Sequence, residues 1–281
     1  MGGYVRVLDR EEGGDLGKSS SVDSRSSTAF TKLRGKPIMK KKMYVLGVAA
    51  LLAVMLALPG VAQSAMWVGA EIGGNFPLNG DIKADIGPFN ATFGNVGYRP
   101  SVIGGATIGY DFVNSGFGAY AWPDWMKYFS FAMDITYNKL NIKGGQTIDV
   151  NIQGINFGNV VLPNNIYLKG YEVAWTFLFM AHYGFMPDSE VPAGRIHPYI
   201  GVGPAILWSG FENSNGNGGA NATNIALIVE PGIRWMAMSN VSIDTAMRYR
   251  YAVPSYDLGP NITLKPTLHQ LAFLLRANYH F

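Results

Sequence analysis

The stretch Leu271-Ala272-Phe273-Leu274-Leu275-Arg276-Ala277-Asn278-Tyr279-His280-Phe281 ends the chain and alternates between two faces. One face is entirely apolar, whereas the other is mostly polar and carries Arg276, Asn278 and His280. Alternation with a period of two indicates a β-strand that has one face in an apolar medium. A tilted strand of roughly 9–11 residues is long enough to cross a bilayer. The tail therefore predicts a transmembrane β-barrel.

Seven further segments repeat this two-faced pattern after residue 65. An even number of antiparallel strands is typical of bacterial barrels, and closure leaves no backbone edge unpaired in lipid. The predicted fold class is therefore all-β, a closed antiparallel transmembrane β-barrel of eight strands, with the tail closing onto the first strand. The seven segments are 66–74, 102–112, 128–138, 170–183, 199–209, 225–236 and 241–251.

Two features leave the strand count and regularity open. Weak alternation between Gln146 and Leu162 makes ten strands possible, although we prefer a long loop or a hairpin extension there. Pro204 and Pro231 fall inside predicted strands. Because proline removes a donor from the hydrogen-bond ladder, each of them predicts a bulge or a strand end.

The connections between the predicted strands differ in length. Met238-Ser239-Asn240 is a tight turn, whereas four connections are long and rich in Gly, Asn and Pro. Long and shorter connections roughly alternate, as extracellular loops and periplasmic turns do in outer-membrane barrels. The long connections are 75–99, 140–169, 210–223 and 252–266.

The composition of the 281-residue chain narrows the possible functions. Charged residues make up 15%, below the globular average of about 25%. The chain has no cysteine, which excludes a disulfide scaffold and a thiolate nucleophile. Residues 1–65 hold ten Lys/Arg and five Asp/Glu, so the net charge of +3 comes from this first part. No nucleic-acid partner is therefore expected from the basic pI.

The first 65 residues resemble a leader that is removed. Met39-Lys40-Lys41-Lys42-Met43 precedes an apolar run from Tyr44 to Leu58, and small residues follow it. This order is typical of a Sec signal peptide, and the run is shorter than the roughly 20 residues of a spanning helix. We expect residues 1–38 to be a disordered or mis-called extension, 39–65 the signal peptide and 66–281 the barrel domain.

The polar faces of the predicted strands carry a mixture of acids and bases. An eight-stranded barrel is just wide enough for side chains to fill its interior, and buried charges must be paired. We therefore prefer a structural ion-pair network to the alternative, a gated polar path. The predicted lumen network consists of Glu71, Asp134, Glu172, Glu230, Arg234, Asp244, Arg248 and Arg276.

Catalytic and metal sites find little support in the residue pattern. Nucleophilic catalysis needs a nucleophile and a base near one rim. His269 with Ser255 or Asp257 is the only candidate of this kind, and an interfacial polar contact explains His269 adequately. The sequence has no metal-binding motif and no phosphate-binding loop. We predict no enzyme activity, no metal and no cofactor.

Several short motifs resemble those of small OmpA-like and OmpW-like outer-membrane barrels. They are Met66-Trp67-Val68-Gly69-Ala70-Glu71-Ile72-Gly73, Ile108-Gly109-Tyr110-Asp111-Phe112, His197-Pro198-Tyr199-Ile200-Gly201-Val202-Gly203 and Arg248-Tyr249-Arg250-Tyr251. The terminal Phe281, with Tyr279 two residues before it, resembles the signal that the barrel-assembly machinery reads. The resemblance covers roughly residues 66–281.

This resemblance implies a location, partners and a function. The expected location is the bacterial outer membrane, and the expected partners are its lipids and lipopolysaccharide, the barrel-assembly machinery and periplasmic chaperones. The expected role is structural, or that of a narrow passive channel for small solutes. The resemblance to OmpW-like barrels implies that these solutes are apolar. The alternative is adhesion or ligand binding by the extracellular loops, foremost the loop at 140–169. A lipid-modifying enzyme is the third reading.

Overall fold

The structure is a computed structural model that describes residues 66–112, 122–163, 169–212 and 219–281. These residues form fifteen β-strands and a 3-10 turn at Asp124–Tyr128. The strands are β1 (Met66–Pro77), β2 (Gly80–Ile86), β3 (Phe89–Val96), β4 (Tyr98–Arg99), β5 (Ser101–Asp111), β6 (Phe129–Ile142), β7 (Thr147–Ile152), β8 (Ile155–Val161), β9 (Lys169–His182), β10 (Ile196–Glu212), β11 (Gly219–Met238), β12 (Val241–Ala252), β13 (Tyr256–Gly259), β14 (Ile262–Pro266) and β15 (Leu268–His280).

Eight of these strands close into an antiparallel barrel in the order β1-β5-β6-β9-β10-β11-β12-β15. The last strand returns to the first, and Glu71 lies directly opposite Arg276 in the β1–β15 ladder. The eight-stranded prediction is confirmed, as is the pairing of the tail with the first predicted strand. The ten-stranded alternative is wrong because β7 and β8 pair outside the barrel, in the hairpin extension that we preferred.

The two interior prolines do not produce the predicted irregularities. Pro204 pairs with Leu227, and Pro231 pairs with Ile200, in a β10–β11 ladder without a register shift. The ladders to β9 and β12 also keep one register on both sides of each proline. The prediction of a bulge or strand end was therefore wrong: single missing donors are tolerated where the flanking ladder holds the register.

Three of the long connections contain strands of their own, although the sequence analysis considered a hairpin only for residues 146–162 and treated the other two as loops. The β2–β3, β7–β8 and β13–β14 hairpins form a six-stranded sheet in the order β13-β14-β2-β3-β7-β8. The fourth connection is shorter than predicted because β10 runs to Glu212 and β11 begins at Gly219. We call the barrel end that carries this sheet the hairpin end, and the opposite end, which holds Met66 and Phe281, the terminal end.

The barrel strands are exposed on one face and buried on the other. Ile225 and Val102 are 75% and 70% exposed, and the outward face is mostly apolar, with Lys139, Asn221, Thr223 and Thr245 as polar exceptions. The inward face combines small apolar residues with most of the buried charged side chains. An apolar exterior around a polar interior is the pattern of a transmembrane β-barrel, because lipid-facing and lumen-facing residues alternate along each strand.

The terminal end has the shorter described connections. Ser239 and Asn240 join β11 to β12, and a longer turn from Tyr183 to Arg195 joins β9 to β10. The predicted extension and signal peptide lie outside the described residues, as does most of the connection between β5 and β6. Within the part of the chain that the structure describes, no helix has the length and apolar character needed to span a membrane.

Candidate functional site

The centre of the lumen holds a cluster of five charged residues that project inward from five different strands. Each of them sits at a polar position of an alternating strand, so the barrel's pleat aims all five at the same space. All five are buried. We call this set the central cluster: Glu71, Asp134, Glu230, Arg248 and Arg276.

The two arginines of the central cluster each bridge several carboxylates. Arg248 donates from Nη2 to Asp134 at 2.7 Å and from Nε to Glu230 at 2.6 Å. Arg276 donates from Nε to Glu71 at 2.9 Å and from Nη2 to Glu230 at 3.1 Å. Glu230 also accepts a hydrogen bond from the Tyr199 hydroxyl at 3.1 Å, although Tyr199 was not among the predicted network residues. The planar guanidinium suits this sharing because its donors point in several fixed directions.

A second polar layer lies between the central cluster and the hairpin end. Glu172 accepts hydrogen bonds at 2.8 Å from both Asn138 and Gln270. Arg250 lies 3.7 Å from Glu172 and donates to Asn138 at 3.3 Å. We call Asn138, Glu172, Arg250 and Gln270 the upper layer.

A third group lies towards the terminal end. Arg234 contacts Asp244 and Asp111, each at 3.4 Å, and its guanidinium stacks 4.5 Å from the ring centre of Trp67. The Trp67 indole donates to Asp111 at 3.2 Å. The distances are longer than in the central cluster, so the charge pairing weakens towards this end.

These three groups lie one above the other inside the barrel. The arginines of the central cluster and the upper layer are at most 2% exposed. Stripping water from charges is costly, and only good ion-pair geometry offsets that cost. We call the three groups together the polar plug.

An apolar cleft lies directly above this plug, at the hairpin end. It has a cavity volume of about 60 Å³ and is partly open to solvent. Leu140 and Gly170 lie two residues above Asn138 and Glu172 on the same inward faces, so the upper layer forms its floor. We call this cleft the vestibule; its lining includes Ile82, Tyr98, Leu140, Phe211, Tyr256 and Leu264.

The structure brings the eight predicted lumen residues to the inside of the barrel, in the three groups described above. Sequence reasoning missed Gln270, because the predicted last strand began one residue later. It also missed Tyr98, which lies outside every predicted strand. Asn138 lay on the polar face of a predicted strand, so the sequence did predict its inward position. Tyr279 and Phe281 lie on the outward face at the terminal end, with their rings in edge contact.

The weak catalytic constellation is not brought together in the predicted way. His269 Nδ1 lies 2.7 Å from the Tyr249 hydroxyl, and Asp257 accepts a hydrogen bond from Thr263. The His269 ring also packs against Tyr251. Among the described residues, no group of three or more His, Cys, Asp or Glu side chains is placed to hold a metal ion.

Comparison with known proteins gives a likeness of fold. No family model and no curated protein matches the sequence. The chain is similar to the solved Neisserial surface protein A, with 14% identity over 77% of this chain and 97% of that one, and a TM-score of 0.42. It is similar to the outer membrane protein OprG from Pseudomonas aeruginosa, with 14% identity, coverage of 79% and 99%, and a TM-score of 0.48.

A further similar structure is the outer membrane protease OmpT from Escherichia coli. The identity is 6%, the coverage is 80% of this chain and 99% of that one, and the TM-score is 0.36. At such identities a likeness concerns the fold, and no activity is carried from these proteins to this chain. What the chain's own geometry shows is a lumen that holds paired charges and a cleft at the hairpin end that is apolar.

Proposed function

We propose, from the premise that the chain is a small outer-membrane β-barrel, that it captures small apolar solutes passively at its hairpin end. The observation that carries this proposal is the vestibule, an apolar cleft seated on a charged plug. An apolar solute gains free energy by leaving water, at about 25 cal/mol per Å² of buried surface. An ion gains no free energy by entering the cleft, and the charged plug lies directly below it.

The charge distribution supports a selective rather than an open passage. In the central cluster, Arg248 and Arg276 are held by three carboxylates at 2.6–3.1 Å, which resists solvation by an entering ion. The proposed role is therefore that of a structural barrel with a narrow passive route, and it includes no catalytic step. Incubation with labelled lipopolysaccharide should release no acyl chain.

The proposed location is the bacterial outer membrane, with the hairpin end outside the cell and the terminal end in the periplasm. Residues 39–65 would direct export as a Sec signal peptide. Tyr279 and Phe281 would be read by the barrel-assembly machinery after delivery by periplasmic chaperones. Membrane lipids and lipopolysaccharide would cover the apolar exterior. Intact-mass measurement of the mature protein tests the leader, because removal should leave a chain that starts close to Met66.

The test of solute capture fills the vestibule. Leu264→Trp places an indole in the cleft, whereas Leu258→Trp adds the same group at an exposed position of the same hairpin. Uptake of toluene into vesicles carrying the purified protein should fall several-fold for Leu264→Trp and stay at the wild-type rate for Leu258→Trp. Equal uptake by all three proteins would remove the vestibule from the route.

A second candidate function is adhesion through the β7–β8 hairpin. Its strand β8 exposes apolar side chains, with Ile155 and Val161 at 64% and 66% exposure and Phe157 close behind. Exposed apolar surface of this kind marks contact sites. Replacing residues 147–161 with a short Gly-Ser linker should then reduce adhesion of expressing cells to host surfaces, and unchanged adhesion would remove this candidate.

A further inference from the structure

Three of the four histidines of the chain lie inside the barrel at its terminal end. His182 is the last residue of β9, His197 is the second of β10 and His280 is the last of β15, each at an inward position of its strand. The His182 and His197 rings lie 5.8 Å apart across adjacent strands. The fourth, His269, contacts two tyrosines of β12 near the hairpin end. We call His182, His197 and His280 the terminal histidines.

The terminal histidines surround Arg234 and its two carboxylates. Asp111 of β5 and Asp244 of β12 each lie 3.4 Å from Arg234 on β11. Each of the terminal histidines lies close enough to Arg234 and Asp111 for their charges to act on its ring. The uncharged Trp67 ring of β1 and the Phe129 carbonyl of β6 face the same space. All eight strands of the barrel thus contribute to this layer.

Protonation of the terminal histidines would reverse the charge of the layer. While their rings are neutral, one arginine faces two carboxylates. With all three rings protonated, four positive groups would face the same two carboxylates, and Arg276 of the central cluster already shares Asp244 at 3.8 Å. Like charges in a buried layer repel strongly because little water screens them. Acid therefore replaces net attraction in this layer with net repulsion.

His182 fits the layer only in its neutral form. Its Nε2 is buried and has no hydrogen-bond partner among the described residues. A protonated ring carries a hydrogen on both nitrogens, and a buried N–H group without an acceptor is costly. A histidine in water takes up its proton around pH 6.5. As the pH falls below this range, an open arrangement that admits the proton gains population over the closed one.

We propose that the terminal histidines form a pH-sensitive lock at the terminal end of the lumen. At neutral pH the uncharged rings pack around Arg234 and the ends of β9 and β10 stay together. In acid, the positive charges on His182 and His197 drive these two strand ends apart, and the terminal layer of the polar plug opens. The lock lies at the opposite end of the barrel from the vestibule, and it works whether or not solutes are captured there.

Amide hydrogen exchange of the full barrel in lipid nanodiscs, at about pH 7.5 and about pH 4.5, tests the lock. The Tyr183 amide donates to the Pro198 carbonyl at 3.3 Å, next to His182 and His197. Its protection, corrected for the intrinsic pH dependence of exchange, should fall roughly tenfold or more in acid, since each proton taken up on opening can change the open population tenfold per pH unit. The amides of Val173 and Trp208, at the hairpin end of the same ladder, should keep their protection.

The triple variant His182→Phe/His197→Gln/His280→Gln removes the three protonation sites of the lock. Its Tyr183 amide should have the same protection at both pH values. His269→Gln removes the fourth histidine and is the matched control, so it should loosen in acid as the wild type does. If the triple variant does not fold, His182→Phe alone decides, because repulsion between β9 and β10 needs both rings.

The outcomes separate the lock from other effects of acid. Loosening at Tyr183 that is lost in the variants supports the proposal. Equal protection at both pH values in the wild type would overturn it. Loosening that persists unchanged in the variants would also overturn it and would assign the response to Asp111 and Asp244. Equal loosening at both ends of the β9–β10 ladder would show general acid unfolding in place of a lock.

Discussion

Arg248 contacts Asp134 with both of its terminal nitrogens, at 3.1 and 2.7 Å, although the two residues lie 114 positions apart in the sequence. The remaining guanidinium nitrogen, Nε, donates to Glu230 at 2.6 Å. Three strands of the barrel, β6, β11 and β12, are thus joined through one side chain at the middle of the lumen. The contact depends on closure of the barrel, because β6 is adjacent to neither β11 nor β12.

Removing this arginine should destabilise the barrel strongly. Arg248→Met keeps much of the side-chain volume but leaves Asp134 and Glu230 buried without a counter-charge. Breaking a buried pair from one side costs roughly 3–5 kcal/mol. Urea unfolding in lipid vesicles should show this loss, with Lys139→Met, at an exposed position of β6, close to wild type. A wild-type midpoint for Arg248→Met would contradict the structural role of the central cluster.

The alternation of the strands explains how much of the fold could be predicted from the sequence. In β15, the order Phe273, Leu274, Leu275, Arg276 already separates the lipid-facing from the lumen-facing side, because the period of two depends only on local geometry. The six-stranded sheet was not predicted. Its strands β2, β3 and β8 are short and mix polar, apolar and glycine residues, so no clear period marks them.

The sequence predicted which residues face the lumen, but it did not predict which of them pair with each other. Parity along each strand places Asp134 and Arg248 on the inside. Which carboxylate meets which arginine depends on the register and tilt of strands that are distant in sequence, and no local pattern encodes this. Tyr98 was missed for a related reason, since its place in the vestibule depends on how β4 attaches to β6.

Opening the plug should make the barrel conduct. Glu71 and Arg276 pair directly across adjacent strands, so the double variant Glu71→Ala/Arg276→Ala removes one charge of each sign and two large side chains from the central cluster. Planar-bilayer recordings should show reproducible current steps for this variant and none for wild type. Asp188→Ala/Arg195→Ala removes the same charges from the exposed turn and should behave like wild type. Steps of equal size in wild type would show that the plug does not close the lumen.

A close glycine contact in β5 should be sensitive to a single methyl group. A Cβ at Gly109 would collide with the Trp67 ring, whereas a Cβ at Gly104 would meet the Glu71 carbonyl oxygen at an ordinary 3.5 Å. Overpacking of this kind costs roughly 1–3 kcal/mol. Gly109→Ala should therefore lower the unfolding free energy in vesicles by that amount, and Gly104→Ala should leave it nearly unchanged. The reverse order would mean that Trp67 moves freely.

The turn between β9 and β10 should loosen in acid. Asp188 accepts a hydrogen bond from the Val191 backbone N–H at 2.7 Å and pairs with Arg195. These contacts, the Val191 bond foremost, hold the pKa of the Asp188 carboxyl below its ordinary value of 3.8. Because the folded pKa is depressed, the stabilisation is complete above the unfolded pKa and is lost as the pH falls through the folded one.

Carboxyl NMR titration of the intact barrel checks this expectation. The Asp188 midpoint should lie below 3.8 in the wild type and rise in Arg195→Met. It should stay below the ordinary value in that variant, because the Val191 N–H still donates to the carboxylate. A midpoint at or above 3.8 in the wild type would show that the turn is not held by these contacts.

The terminal aromatic should matter for assembly more than for stability. Phe281 donates its backbone N–H to the Met66 carbonyl at 3.0 Å, while its side chain is 51% exposed on the outward face. Phe281→Ala keeps the backbone bond and removes little buried surface, so the unfolding free energy should change by less than about 1 kcal/mol. If the assembly machinery reads this side chain, the amount of protein in the outer membrane should fall several-fold.

Phe273→Ala, on the same face of β15 with 56% exposure, is the matched control and should assemble normally. Equal outer-membrane levels of the two variants would remove Phe281 from the signal.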